Sequence, residues 1–112
     1  MIENKSFGEV IKALRKSKDM PIRKVAAFID IDPSSYSKIE RNERTISRPC
    51  ISKLSELFEV PERELLLAFL SNRIAYELLG ETDCNEILRV AEQRINYLKS
   101  TNVTQKEIQF ND

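Results

Sequence analysis

The run DIDPSSYSKIERNER, residues 30 to 44, gathers side chains able to recognise a partner. Ser34, Ser35 and Ser37 carry short hydroxyls that can both donate and accept hydrogen bonds. Lys38, Arg41 and Arg44 add cations on the following turns. Serine is an indifferent helix former, so helix propensity does not account for this cluster. The groups suit recognition of an anionic, hydrogen-bonding surface rather than bond-breaking chemistry. The chain has no histidine, no glycine-rich phosphate loop and no residues at metal-ligand spacing. No catalytic constellation, metal or cofactor is expected, and the carboxylates are scattered over helix surfaces. Cys50 and Cys84 stand alone and read as small packing residues of a reduced, cytoplasmic protein.

The elements that must position this run are helices. Only two glycines occur, and no β-branched residues alternate with polar ones, which argues against strands. The first helix is expected from about Ser6 to Ser17, with Ser6 and Glu9 forming a capping box. Val10, Ile11 and Leu14 form its apolar stripe, with Phe7 one turn earlier. A short second helix begins at Pro21 and turns Val25, Ala26 and Ile29 inward. Asp32 caps a third helix, with Pro33 at its first position. Tyr36 and Ile39 share its inner face. It ends near Arg41, with Asn42 taking the left-handed position. After the loop ERTISRP, Pro49 opens a fourth helix, which Val60-Pro61 breaks. A fifth helix runs from Glu62 to Leu79 and a sixth from about Asp83 to Lys99. Residues 100 to 112 read as a polar tail.

The 112-residue chain has zero formal net charge, 41% hydrophobic and 32% charged residues, which suits one modest globular domain with an appendage. The charge is divided unevenly. Residues 1 to 58 hold 12 Lys/Arg and 8 Asp/Glu, while residues 59 to 112 hold 6 and 10. Such a split suggests an anionic partner for the first half and another role for the second. The N-terminus carries no signal-peptide pattern, and no apolar run approaches a membrane span.

Two short helices joined by a tight turn, the second presenting small polar and basic residues, form the helix-turn-helix pattern. PIRKVAAFIDIDPSSYSKIERNER resembles the corresponding segment of the lambda-repressor-like, or Xre, family. The resemblance rests on Ala26 in the second helix, Ile31 before the third, and SYSKIERNER, which follows the family style S-x-I-S-x-I-E-x-G-x-R. It covers about residues 6 to 68. It implies an all-α fold, a five-helix lambda-repressor-like helix-turn-helix domain (1–68), followed here by a C-terminal helical extension (69–99).

The resemblance also implies roles. Val25, Ile29, Ile31, Tyr36 and Ile39 would clamp the two helices together. Arg15 and Glu40 match an internal ion pair that ties the first helix to the third. Pro33, Ser34, Ser37 and Lys38 match positions that face base edges in the major groove, with residues 32 to 42 as the recognition helix. Arg23, Lys24, Arg41, Arg44 and Arg48 flank that helix and suit phosphates, and Ser35 suits phosphate or backbone. Two positions depart from the family pattern. Ile22 stands where glutamine often reaches a phosphate, and Asp30 stands where glycine often makes the turn.

Domains of this type bind DNA as two-fold dimers. The extension is expected to dimerise or to pack within one chain, Phe69, Leu70, Ile74 and Leu78 meeting Ile87, Leu88, Ile95 and Leu98. The expected partners are a palindromic double-stranded DNA operator and a second copy, without a membrane or a small-molecule ligand. Bacterial and phage proteins of this kind include small repressors, restriction–modification controllers and antitoxins. The layout looks most like a small repressor or a controller. The alternative is an antitoxin-like protein-interaction module that keeps the fold with weak or no specific DNA binding.

Overall fold

The computed structural model describes residues 5 to 101; the expected tail beyond Thr101 lies outside them. The described residues form six helices: α1 (Phe7–Ser17), α2 (Ile22–Phe28), α3 (Pro33–Glu40), α4 (Arg48–Phe58), α5 (Glu62–Leu78) and α6 (Cys84–Ser100). No strand occurs among the described residues.

Local chemistry explains the starts. The Ser6 hydroxyl accepts from the Glu9 N–H, and the Glu9 carboxylate accepts from the Ser6 N–H at 2.9 Å, completing the capping box of α1. Pro21 occupies the cap position of α2 rather than its first turn, because its extended backbone already points the chain into the helix. The Asp32 carboxylate accepts from the Ser34 N–H at 3.0 Å, and Pro33 begins α3. Ser47 caps α4 through backbone geometry alone, with Arg48 then Pro49 in its first turn.

The first four helices share one way of stopping. Asp19, Asp30, Asn42 and Glu59 all have positive φ, between 52° and 61°. Beyond each, an N–H reaches back five residues: Met20 to Arg15, Ile31 to Ala26, Glu43 to Lys38 and Val60 to Ser55. This closes the free carbonyls of the last turn without a glycine. Aspartate and asparagine tolerate the left-handed region better than most residues. At the α4 end the reversal falls on Glu59, and Pro61 disfavours helical backbone at Val60. The expected break at Val60-Pro61 therefore begins one residue earlier.

The chain divides into two compact units after Tyr76. In the first, one core joins Phe7, Val10 and Ile11 of α1 to Val25, Ala26 and Ile29 of α2. It continues through Tyr36 and Ile39, then Ile51, Leu54 and Phe58, to Leu65, Ala68 and Phe69 of α5. Phe69, the first residue of the expected extension, belongs to this core. Its ring meets the edge of Phe7 at 5.3 Å between centroids, and the Arg73 guanidinium lies over its face at 5.7 Å. Phe69 thus closes the core of the first unit.

In the second unit, none of the residues of α6 is buried, and Ile87, Leu88 and Ile95 are exposed. The Cys84 thiol donates to the Leu78 and Glu81 carbonyls. No helix among the described residues is long and apolar enough to cross a membrane.

Candidate nucleic-acid interface

The orientation of α3 is set from its buried side. Tyr36 is fully buried and Ile39 nearly so, which fixes one face against the core. Glu40, only 6% exposed, follows on the same side. Its carboxylate receives the Arg15 guanidinium through two bonds, Nε to Oε2 at 2.7 Å and Nη2 to Oε1 at 3.1 Å. Arg15 also donates to the Met20 carbonyl at 2.9 Å, so one guanidinium closes the end of α1 and holds the end of α3. The Glu40 carboxylate raises the pKa of Arg15 above its usual value, against the opposing effect of burial. Among the described residues the Tyr36 hydroxyl meets no hydrogen-bond partner. Burial first, and then the neighbouring Glu40 carboxylate, push this phenol far above its ordinary pKa, so it stays protonated.

Gly8, which the sequence reading did not single out, and Asn42, expected only at the left-handed end of α3, complete this joint. Gly8 of α1 lies directly against the last turn of α3. A Cβ on Gly8 would stand 2.3 Å from the Glu40 carbonyl oxygen and 2.7 Å from that of Ile39. Asn42, besides its left-handed backbone, receives the Gly8 N–H at its Oδ1 (3.0 Å) and donates to the Ser6 hydroxyl (2.7 Å). The sequence signal was available in part: a glycine inside an otherwise apolar helical stripe marks a close backbone approach.

The outward face carries the expected recognition residues. Pro33, Ser34 and Lys38 are exposed, and Ser35 and Ser37 are half-buried. Lys38 makes no hydrogen bond or ion pair to another described side chain, whereas all three serine hydroxyls are engaged. Ser34 donates to the Asp32 carboxylate. Ser35 accepts from Arg44 at 2.6 Å, and Ser37 accepts from Arg41 at 2.7 Å. Arg41 also makes a two-pronged contact with Glu43, at 3.2 and 3.3 Å. The hydroxyl bond and the backbone bond from Ser34 hold the Asp32 carboxyl below its usual pKa, so it is ionised at neutral pH. Arg23, Lys24, Arg44 and Arg48 are exposed with Arg41 in the same unit. Ile22, in the departing position, is half-buried against the core and offers no polar contact.

The residues expected to pack the extension fall in different settings. Phe69 is buried in the core of the first unit, while Leu70 and Ile74 are exposed. Leu78 and Leu98 are half-buried, and Ile87, Leu88 and Ile95 are exposed.

Residues 11–65 match the family described as Helix-turn-helix. The HTH-type transcriptional repressor RghR of Bacillus subtilis (strain 168) is 31% identical over 62 residues, covering 54% of this chain and 46% of the relative. The uncharacterized HTH-type transcriptional regulator RghRB of the same organism is 30% identical over 63 residues, covering 55% and 45%. This chain thus spans about half the length of these two relatives. The control protein C.MunI of Mycoplasma sp is 40% identical over 67 residues, covering 52% of this chain and 90% of that protein. No solved structure matches the chain. The matched segment contains α2, the Asp30 turn and α3, together with the Arg15–Glu40 tie. With this match, and with C.MunI aligned over nearly its whole length, the chain belongs to the helix-turn-helix family, in its Xre-like branch.

Proposed function

We propose that the chain is a sequence-specific regulator of transcription that binds double-stranded DNA in the cytoplasm with α3 in the major groove. Pro33, Ser34, Ser37 and Lys38 face base edges. Arg23, Lys24, Arg41, Arg44 and Arg48, with Ser35, serve the phosphates. The observation that carries this reading is the division of α3. Its inner face is anchored by Tyr36, Ile39 and the buried Arg15–Glu40 pair, while small and basic residues remain outside. A recognition helix needs both a fixed angle and a low-relief outer face at its N-terminal end. The relatives named as a repressor and as a control protein support the same reading.

Two copies bound to a palindromic operator would place their recognition helices about 34 Å apart. Leu70, Ile74, Leu78, Ile87, Leu88, Ile95 and Leu98 supply the apolar surface for that pairing. The exposed apolar residues of α6 also favour a second reading, an antitoxin-like module that holds another protein.

Salt dependence separates the two. A regulator of this type releases counterions, so the logarithm of affinity falls with that of salt by about 0.9 for each phosphate neutralised. Arg44→Ala should weaken binding to all duplexes and flatten that slope, whereas Lys38→Ala should relax base preference. Undetectable or salt-independent binding to every duplex would leave the protein-binding module standing. Equal, sequence-independent losses from both variants would remove Lys38 from base reading.

A further inference from the structure

Three serines on one recognition helix need not read the same chemistry. A serine hydroxyl has one proton and two lone pairs. At Ser34 the proton is already committed, because its partner is the carboxylate of Asp32. An ionised carboxylate only accepts, and a hydrogen bond to it is about twice as strong as one between neutral groups. The same carboxylate takes the Ser34 N–H at 3.0 Å, which locks the arrangement into the cap of α3. What Ser34 presents outward is therefore lone pairs, beside a negative charge. Ser37 differs, since it accepts from Arg41 and keeps its proton free. Lys38 differs again, because an ammonium group only donates.

We infer that Ser34 is an acceptor-only base reader, selecting the exocyclic amino group of adenine or cytosine in the major groove. This rests on the DNA-binding reading above and assigns that surface a chemistry. In the major groove adenine N6 and cytosine N4 are donors, whereas guanine O6 and N7 and thymine O4 are acceptors. Every base pair holds one amino base, so the discrimination concerns which strand carries it. A guanine or thymine beneath Ser34 would set an acceptor against the hydroxyl oxygen and the Asp32 carboxylate. To bind it, the hydroxyl would have to leave Asp32. Asp32 is thus a positioning residue that fixes the polarity of Ser34. Lys38, one turn along and about 6 Å further on the axis, reads an acceptor on a different base step.

The test is selection of bound duplexes from a random-sequence pool, with the full chain and its Ser34→Ala and Asp32→Asn variants. Ser34→Ala keeps the capping bond from residue 34, and asparagine keeps a capping oxygen, so both variants should fold. The expected result is one position per half-site that carries adenine or cytosine on a given strand. The preference should be roughly two- to tenfold, the range of a single net hydrogen bond. Ser34→Ala should remove it while the other positions hold. Asp32→Asn, which brings an amide donor, should admit guanine and thymine there. Replacing the selected base by purine or 2-pyrimidinone, which lack the amino group, should weaken the wild-type chain and leave Ser34→Ala unaffected. Guanine or thymine at the Ser34-dependent position would overturn the proposal with DNA binding intact. So would preferences unchanged in both variants. Failure of the wild-type chain to enrich any duplex would instead overturn the DNA-binding reading on which the proposal rests.

Discussion

Gly8→Ala tests whether α3 is aimed by α1. Gly8 is the second residue of α1, so glycine to alanine there gains at most the roughly 1 kcal/mol of a helix interior. Here the added Cβ would lie 2.3 Å from the Glu40 carbonyl oxygen, 2.7 Å from its carbon and 2.7 Å from the Ile39 oxygen. All three atoms are backbone, so no side-chain rotation relieves the clash. The helices would have to separate by roughly 1 Å to reach ordinary contact. That movement opposes the Asn42 bonds to Gly8 and Ser6 and the Arg15–Glu40 pair. Overpacking of this sort costs about 1–3 kcal/mol and occasionally more, and a weakened Asn42–Gly8 bond adds about 1 kcal/mol. The clash sits at the upper end of that range, so a net loss of about 2–3 kcal/mol is expected after the helix gain. Urea denaturation measures it, with Gly80→Ala as the control, since nothing lies within 4 Å of a Cβ there. The control should change stability by less than about 0.5 kcal/mol. A Gly8→Ala protein as stable as the wild type would refute the close-approach argument.

Three further outcomes follow from the joint and the caps. Glu40→Ala should cost about 3–5 kcal/mol in chemical denaturation, because it strands the Arg15 guanidinium, whose side chain is 11% exposed. Replacing both partners by Met and Leu should recover most of that loss, and a double variant as unstable as Glu40→Ala would contradict it. Tyr36→Phe removes a buried hydroxyl that has no partner among the described residues, so stability should hold or rise by up to about 1 kcal/mol. A loss above about 1 kcal/mol would show the hydroxyl to be bonded. The folded-state pKa of Asp32 is depressed, so its capping contribution is complete above the ordinary aspartate value near 3.9. That contribution is lost as pH falls through the lower folded value. Acid titration by circular dichroism should therefore show a shallower loss below about pH 4 for Asp32→Asn than for the wild type.

Much of the helical plan can be read from the chain because caps and prolines act locally. Ser6 with Glu9, Asp32 with Pro33, and Asn42 each constrain the backbone within a few residues. The Arg15–Glu40 tie was different. Nothing in its spacing shows it, and only the family resemblance suggested it before the geometry placed the two side chains 2.7 Å apart. The serine partners were not legible either. A hydroxyl's neighbour depends on rotamers, and Ser35 meets Arg44 only because the chain bends back after α3. Phe69 was assigned to the extension because apolar periodicity continues unbroken along α5. Periodicity reports that a face is apolar without saying what covers it.

By itself, the sequence determined six helices, their approximate ends, and a third helix with one apolar and one small, polar, basic side. Those features rest on interactions within one or two turns. Tertiary structure alone decided how α3 is held: Gly8 without a side chain against its last turn, Asn42 bridging back to α1, and Phe69 closing the core. It also decided that Ser34 faces outward with its proton already engaged by Asp32. The physical reason is one of range. Helix capping is satisfied by near neighbours, whereas close approach, core closure and the angle of a recognition helix arise where distant segments compete for the same space.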